Sequence, residues 1–285
     1  MTKRVTIRIA DVSLAIIGDP QKNTEAIMPA YRPFLHEGKA DIELQLHQGI
    51  PTDLVGDKIF DCPPTWTLYR HNGKSIIKIY ETLSSLARCL LLPSDMGKCE
   101  LFFADKPGPF TDPLYGPAIE LLLVNYLASK KDGLIIHSCG IVRKGRGIMF
   151  VGESGAGKST IARLWNSEND VEVLSDDRII IRRFGSHFRM YGTPWHGDAK
   201  FASPRGAQLE QIFFLKHGHK NAVREIKGID SVSRFLTASF PPYWDPQGVS
   251  FAMDILTSLT THTPCMELTF KPEKSALNLV KKIIE

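Results

Sequence analysis

Gly152-Glu153-Ser154-Gly155-Ala156-Gly157-Lys158-Ser159 satisfies the pattern G-x-x-x-x-G-K-[ST], with four fixed positions in eight residues. Its glycines let the backbone turn tightly enough for successive N–H groups to face phosphate oxygens. Lys158 sets a compact cation beside the β- and γ-phosphates, and the Ser159 hydroxyl is the expected Mg²⁺ ligand. The flanks agree with that reading. Gly147 to Val151 reads as a short buried strand, and Lys158 to Trp165 as a helix whose N-terminus meets the anion. The expected nucleotide contacts are therefore Gly152, Glu153, Ser154, Gly155, Ala156, Gly157, Lys158, Ser159 and Thr160.

The rest of the composition is consistent with a nucleotide enzyme and excludes several other classes. At 285 residues the chain can bury one large core or two ordinary ones. Its charge of +4 is scattered, with no basic run of five, so neither nucleic acid nor a membrane surface is an expected partner. Five widely spaced cysteines without a C-x-x-C pair argue against a disulfide framework or structural zinc, and for a reducing cytoplasm. Cys139 lies close to the loop in sequence, and reads as a small buried hydrophobe. The apolar stretch from Ala118 to Ala128 is too short to span a bilayer, and no signal peptide is read at the start.

The first third reads as a β-rich domain. Strands are expected at Val5–Ile9, Ser13–Ile17 and Cys99–Ala104, and the strict alternation of Asp41 to Leu46 suggests a half-buried antiparallel strand. Trp66 to Arg70 and Ser75 to Tyr80 flank Asn72-Gly73 as a hairpin. His36, His47 and His71 stand apart and read as surface or hairpin residues. Lys106-Pro107-Gly108-Pro109-Phe110 reads as a linker, giving domains over 1–110 and 111–285. After it come a helix start at Thr111-Asp112-Pro113, continued over Ile119 to Lys130, and strands at Leu134–Ile136 and Gly140–Arg143 with His137 between them.

Past the loop helix, Val171 to Ser175 reads as a strand ending in Asp176-Asp177. A paired acid there can divide two tasks, holding Mg²⁺ and taking the proton of an attacking hydroxyl, or it can simply form a turn before the next strand, Arg178 to Arg183. Further on, helices are expected over Ile229–Ser239, from an Asp245 cap to Leu259, and over Pro272–Ile284, with strands at Gln211–Lys216 and Cys265–Phe270. His217 and His219 follow a strand and read as exposed, a metal pair being the alternative.

His137, the loop, and Leu174-Ser175-Asp176-Asp177-Arg178 together resemble the catalytic core of the HPr kinase/phosphorylase family, over Leu134 to Leu215. The resemblance implies an α/β (α+β) chain with a P-loop core of the HPr kinase/phosphoenolpyruvate carboxykinase type behind a β-rich N-terminal domain. It implies ATP and Mg²⁺, Asp176 as general base, Asp177 assisting through the metal or by polarising the site, and His137 beside the transferring phosphate. Ser203-Pro204-Arg205-Gly206 resembles the family's E-I-R-G segment, with Arg205 stabilising phosphoryl charge and Ser203 in place of the acid. Tyr191 to Asp198 resembles a G-T-P-W-x-G segment of HPr-kinase-like proteins encoded with peptide-modification or export systems. There His196 and Asp198 are candidate contacts to acceptor or metal. Family members form hexamers, so a homo-oligomer is admitted. The expected activity is phosphoryl transfer to a serine-type hydroxyl of a peptide or small protein. A small-molecule hydroxyl kinase and a non-catalytic nucleotide sensor are the alternatives.

Overall fold

The computed structural model describes residues 3–18, 29–82, 85–104, 114 and 116–285. The expected linker at 106–110 and helix start at 111–113 lie outside these residues. The chain is mixed α+β, mostly sheet, and divides into two compact units, Met1–Tyr126 and Leu127–Glu285. Among the described residues no helix is long and apolar enough to cross a membrane.

The first unit is built on one eight-stranded sheet. In chain order its strands are β1 Lys3–Ile9, β2 Val12–Gly18, β3 Ile42–Gln48, β4 Asp57–Cys62, β5 Trp66–His71, β6 Lys74–Thr82, β7 Ser85–Leu92 and β8 Lys98–Phe103. Their spatial order is β1-β2-β3-β8-β7-β6-β5-β4. Asn72 and Gly73 form the β5–β6 turn with φ of 47° and 74°, the left-handed pair that matches strand twist. One expectation is corrected here. β3 alternates in burial as its sequence alternates, yet it runs parallel to both neighbours, β2 and β8. Alternation reports which face is buried, and the direction of the partners is set by long connections elsewhere. β4 and β7 carry no clear alternation and escaped the sequence reading.

The second unit carries β9 Gly133–Arg143, β10 Arg146–Val151, β11 Val171–Ser175, β12 Arg178–Phe184, β13 His187–Tyr191, β14 Gly206–His217, β15 Ala222–Glu225 and β16 Cys265–Phe270. The helices are α1 Ala118–Lys130, within which the division of units falls, then α2 Lys158–Asn166, α3 Ile229–Ala238, α4 Pro246–His262 and α5 Lys274–Ile284. The sheet order is β10-β9-β12-β13-β14-β16-β15, with β11 on β9, and β10 also pairs β14 in parallel. The path from β10 through β9, β12, β13 and β14 therefore closes on itself. β9 is one continuous strand of 11 residues where two short ones were expected, and His137 sits in its middle.

Helices cover both faces of this sheet, so its central strands are apolar on both sides. Met149 and Val151 of β10, with Ile212 and Phe214 of β14, pack against Phe235 of α3 and Phe251, Ile255 and Leu259 of α4. The alternate residues Ile148, Phe150, Phe213 and Leu215 pack against Ile161 and Trp165 of α2 and Leu277 and Val280 of α5. Phe150 stacks on Phe213 with centroids 5.5 Å apart, and Phe214 meets Phe235 edge-on at 5.0 Å. The strand-to-helix step after β10 is thus anchored on both sides before any loop geometry is considered. Asp245 caps α4, accepting from the Gln247 N–H at 3.1 Å.

One ion cluster stands at the edge of this sheet. Glu267 of β16 is 5% exposed and accepts from Arg224 Nε at 2.7 Å and Arg234 Nη2 at 2.8 Å. Hydrogen bonds from Arg224 and Arg234 hold its carboxyl down to about 2, against burial, from an ordinary 4.5. A depressed carboxylate contributes stability that is present above its unfolded pKa and is lost as pH falls through the folded one. The cluster therefore contributes above pH 4.5 and fades toward pH 2. With Arg224 60% exposed, the loss is on the order of 2 kcal/mol after solvent screening. Glu267→Gln is expected to flatten this acid limb, as read from urea midpoints measured between pH 6 and 2.5.

Candidate functional site

The loop 152–157 leaves β10 on one face and delivers the chain to α2 on the other. Gly155 and Gly157 take φ of 81° and 99°, and Gly157 serves as the α2 cap without any side-chain hydrogen bond to the helix end. Gly157 therefore offers no side chain to the first N–H groups of α2, which helix geometry leaves without intrahelical partners. A Cβ on Gly157 would stand 2.7 Å from Phe270 Cζ, so both backbone angle and space require glycine. Across the loop, His217 Nε2 donates to the Gly155 carbonyl at 2.6 Å, with its ring stacked on Phe270 at 6.3 Å. The sequence reading of His217 as exposed holds, but it missed this clasp, whose partners lie 62 residues apart. Among the described residues no group of three or more His, Cys, Asp or Glu side chains is placed to hold a metal ion.

Lys158 is 6% exposed and donates to the Gly152 and Glu153 carbonyls, both at 2.9 Å. Burial lowers its pKa, with the negative charge of Asp177 working in the opposite direction. Two of its three N–H donors are satisfied by the loop itself, leaving one for another acceptor.

The acid pair at the end of β11 has two unlike members. Asp176 is 1% exposed, and each of its oxygens accepts two hydrogen bonds. Oδ1 takes the Gly197 N–H at 3.0 Å and the Phe201 N–H at 3.3 Å. Oδ2 takes the Ser159 hydroxyl at 2.8 Å and the Ala199 N–H at 2.9 Å. A carboxylate offers about four lone-pair positions, and here they are filled by the chain. Asp177 is different. Its Oδ1 pairs with His137 Nε2 at 2.9 Å and its Oδ2 with Arg178 Nη1, with both His137 and Asp177 partly open to solvent. Burial pushes its carboxyl up. The His137 hydrogen bond and the charges of Arg178, His137 and Lys158 outweigh burial and hold it below the ordinary carboxylate range.

The stretch that resembles G-T-P-W-x-G is folded around Asp176. Thr193 Oγ1 donates to the Arg178 carbonyl at 2.7 Å and Ser175 Oγ to the Trp195 carbonyl at 3.0 Å, fixing both ends of the turn. The Gly197 backbone lies against the protein's own Asp176 carboxylate. A Cβ on Gly197 would lie 2.7 Å from Asp176 Oδ2 and 3.2 Å from Ser159 Oγ. Gly197→Ala is expected to push the loop off Asp176, with a stability loss of about 1–3 kcal/mol from overpacking and broken hydrogen bonds. Thermal melting of the purified variant measures it.

His137, Ser154, Gly155, Gly157, Lys158, Ser159, Thr160, Asp176, Asp177 and Asp198 line one cavity of about 320 Å³. Gly152, Glu153 and Ala156 line a neighbouring cavity that shares Ser154 and Gly155 with the first. Two candidates fall outside both. His196 is exposed, with its Nδ1 turned to the Gly197 carbonyl at 3.1 Å. Arg205 is paired with Glu172, whose other oxygen takes the Ser203 hydroxyl at 2.6 Å. This places the segment matched to E-I-R-G on a carboxylate of β11. Arg163 was overlooked by the sequence reading: it lines the first cavity and donates to the Asp198 carbonyl at 3.1 Å. It sits on α2 like any solvated helix arginine, so nothing in its sequence context marks it. Cys139 is fully buried and burial pushes its thiol far up, as suits a core residue.

No protein-family model matches the chain, and no curated protein matches it. Among solved structures the chain is similar to the HPr(Ser) kinase/phosphatase from Coxiella burnetii, at 11% identity. The match covers 53% of this chain and 93% of that one with a TM-score of 0.29, a likeness too slight to carry a conclusion about activity.

Proposed function

We propose that this chain is an ATP- and Mg²⁺-dependent kinase that passes the γ-phosphate to a serine-type hydroxyl of a peptide or small protein. The observation that carries the reading is one cavity holding a glycine-rich loop with its lysine, a serine tied to a buried carboxylate, and a second carboxylate paired with histidine. Lys158 and the first N–H groups of α2 would hold the phosphates. The donors at hand are hard oxygens, which suit Mg²⁺, an ion that keeps waters and phosphates as its other ligands. Ser159 and Asp177 would hold Mg²⁺, which neutralises charge on the phosphoryl oxygens when bound.

The two acids take different parts in this proposal. Asp176 has its acceptor positions filled and fixes the Ser159 hydroxyl, so it serves as a positioning residue. Asp177 is the member with room for a hydroxyl proton, and His137 holds its carboxylate in place. Its lowered basicity is no obstacle. In a loose phosphoryl transition state the nucleophile needs orientation more than a strong base.

The reading is tested with γ-labelled ATP, Mg²⁺ and the purified protein in an extract of its source cells, against Lys158→Ala. Label entering peptide or protein only with the unsubstituted chain supports it. Label appearing only in small molecules makes the chain a metabolite kinase, and ATP binding without transfer makes it a nucleotide sensor.

A further inference from the structure

A second cavity, of about 460 Å³, lies against the first half of the loop, from Gly152 to Ala156. Its volume is in the range of small-molecule sites. It has no contribution from Lys158, Ser159 or Thr160, the residues at the helix end where the phosphates would sit. Its far wall is the last turn of α3, with Arg234, Thr237 and Ala238, over a floor of Phe214 and Leu215. The chain leaving that turn goes straight to the reaction centre. Ser239 bridges to Ile136, and the Phe240 ring stands 6.4 Å from that of His137. The cavity thus adjoins the one lined by His137 and Asp177, sharing Ser154 and Gly155 with it.

Arg234 is held as a fixed fork. One of its Nη atoms is 2.8 Å from the buried Glu267, and its guanidinium lies over the Phe214 ring at 5.8 Å. Glu267 is shared with Arg224, which approaches the same carboxylate from outside the cavity. The other titratable wall residues are His217, which clasps the loop, and the exposed Glu153. A preoriented guanidinium over an apolar floor suits a planar carboxylate, which it can bind through parallel N–H donors.

We propose that this cavity receives the phosphoryl acceptor and selects one with a carboxylate close to its hydroxyl. The inference rests on the kinase reading and deepens it by naming the acceptor's chemistry. Asp177 and His137 line the cavity with Lys158 and Ser159, so a γ-phosphate held there would lie near them, and an acceptor seated against α3 would present its hydroxyl to it.

The test titrates the full chain, with Mg²⁺ and ADP present, using N-acetyl-L-serine and its neutral amide, followed by ligand NMR. The acid is expected to bind at least tenfold more tightly than the amide. Arg234→Gln should remove that preference while leaving ADP affinity as it was. Arg224→Gln touches the same Glu267 from outside the cavity, and should retain the preference. Equal binding of acid and amide, no binding of either, or a preference that survives Arg234→Gln would overturn the inference. So would an equal loss in Arg224→Gln, which would assign the effect to the ion cluster alone. Failure of the unsubstituted chain to bind ADP would instead bring down the nucleotide reading beneath it.

Discussion

Lys158→Ala is expected to lower the proposed phosphoryl transfer by about a thousandfold, the scale of removing one preorganised charge from a transition state, and to leave the melting temperature unchanged or slightly raised. Both halves follow from the same geometry. The ammonium is buried to 6% exposure, and burial pulls its pKa down, so the folded chain carries this cation at an energetic disadvantage. Its two hydrogen bonds go to carbonyls of Gly152 and Glu153, residues that water can reach once the side chain is gone. Stability thus loses little, whereas the remaining N–H, the one that would serve a phosphate oxygen in the proposed reaction, has no substitute. Transfer of label from γ-labelled ATP and a thermal melt of the same sample separate the two effects. A large drop in melting temperature would mean that Lys158 is a structural strut.

The acid pair gives the second large effect, and its two members should fail differently. Asp177→Asn is expected to reduce transfer by roughly 10²- to 10⁴-fold, the usual worth of a positioned acid–base group, with little change in stability. An amide oxygen still accepts from one neighbour, and the site is open enough for water to serve the other. Because the Asp177 carboxyl lies below its ordinary 3.8, its ionised form persists as pH falls past that value. The acid limb of activity should therefore lie below the ordinary carboxylate range. Asp176→Asn is expected to act first on the fold. Its amide nitrogen would face two donors, such as the Ser159 hydroxyl and the Ala199 N–H, and each buried donor left unmatched costs about 1–3 kcal/mol. Melting, together with faster hydrogen exchange at Gly197, Ala199 and Phe201, would report the release of that loop. Catalytic loss at constant stability in Asp176→Asn, with unfolding in Asp177→Asn, would exchange the two roles.

What could be read from the sequence was local. The β10–loop–α2 step is spelled out in consecutive residues, by an apolar run, three glycines and a helix start, and the structure has those elements. The Asn72-Gly73 hairpin and the Asp245 cap were legible for the same reason. What could not be read depends on partners distant in the chain. Arg205 suits a phosphate as well as it suits Glu172, and only the fold brings Glu172 to it across 33 positions. Gly197 signals that something comes close to the backbone without saying that the neighbour is Asp176. Asp176 and Asp177 are equivalent letters until the donors around each are seen. β13 alternates over only five residues and β15 is four residues without alternation, too little signal to read alone, and both are held by pairing with neighbouring strands.

The clasp on the glycine-rich loop also sets a schedule. The loop leaves the ribosome with Gly155, but His217, which takes hold of its carbonyl, follows 62 residues later. At about 5–20 residues per second, that is a wait of roughly 3 to 12 s. Phe270, which packs at Gly157 and under His217, comes later still. The parallel pairing of β10 with β14 has the same long reach, and such contacts form slowly because the intervening chain must first be closed. The glycine-rich loop is therefore synthesised long before it can be shaped, and its contacts are complete only when the final strand of the sheet has arrived.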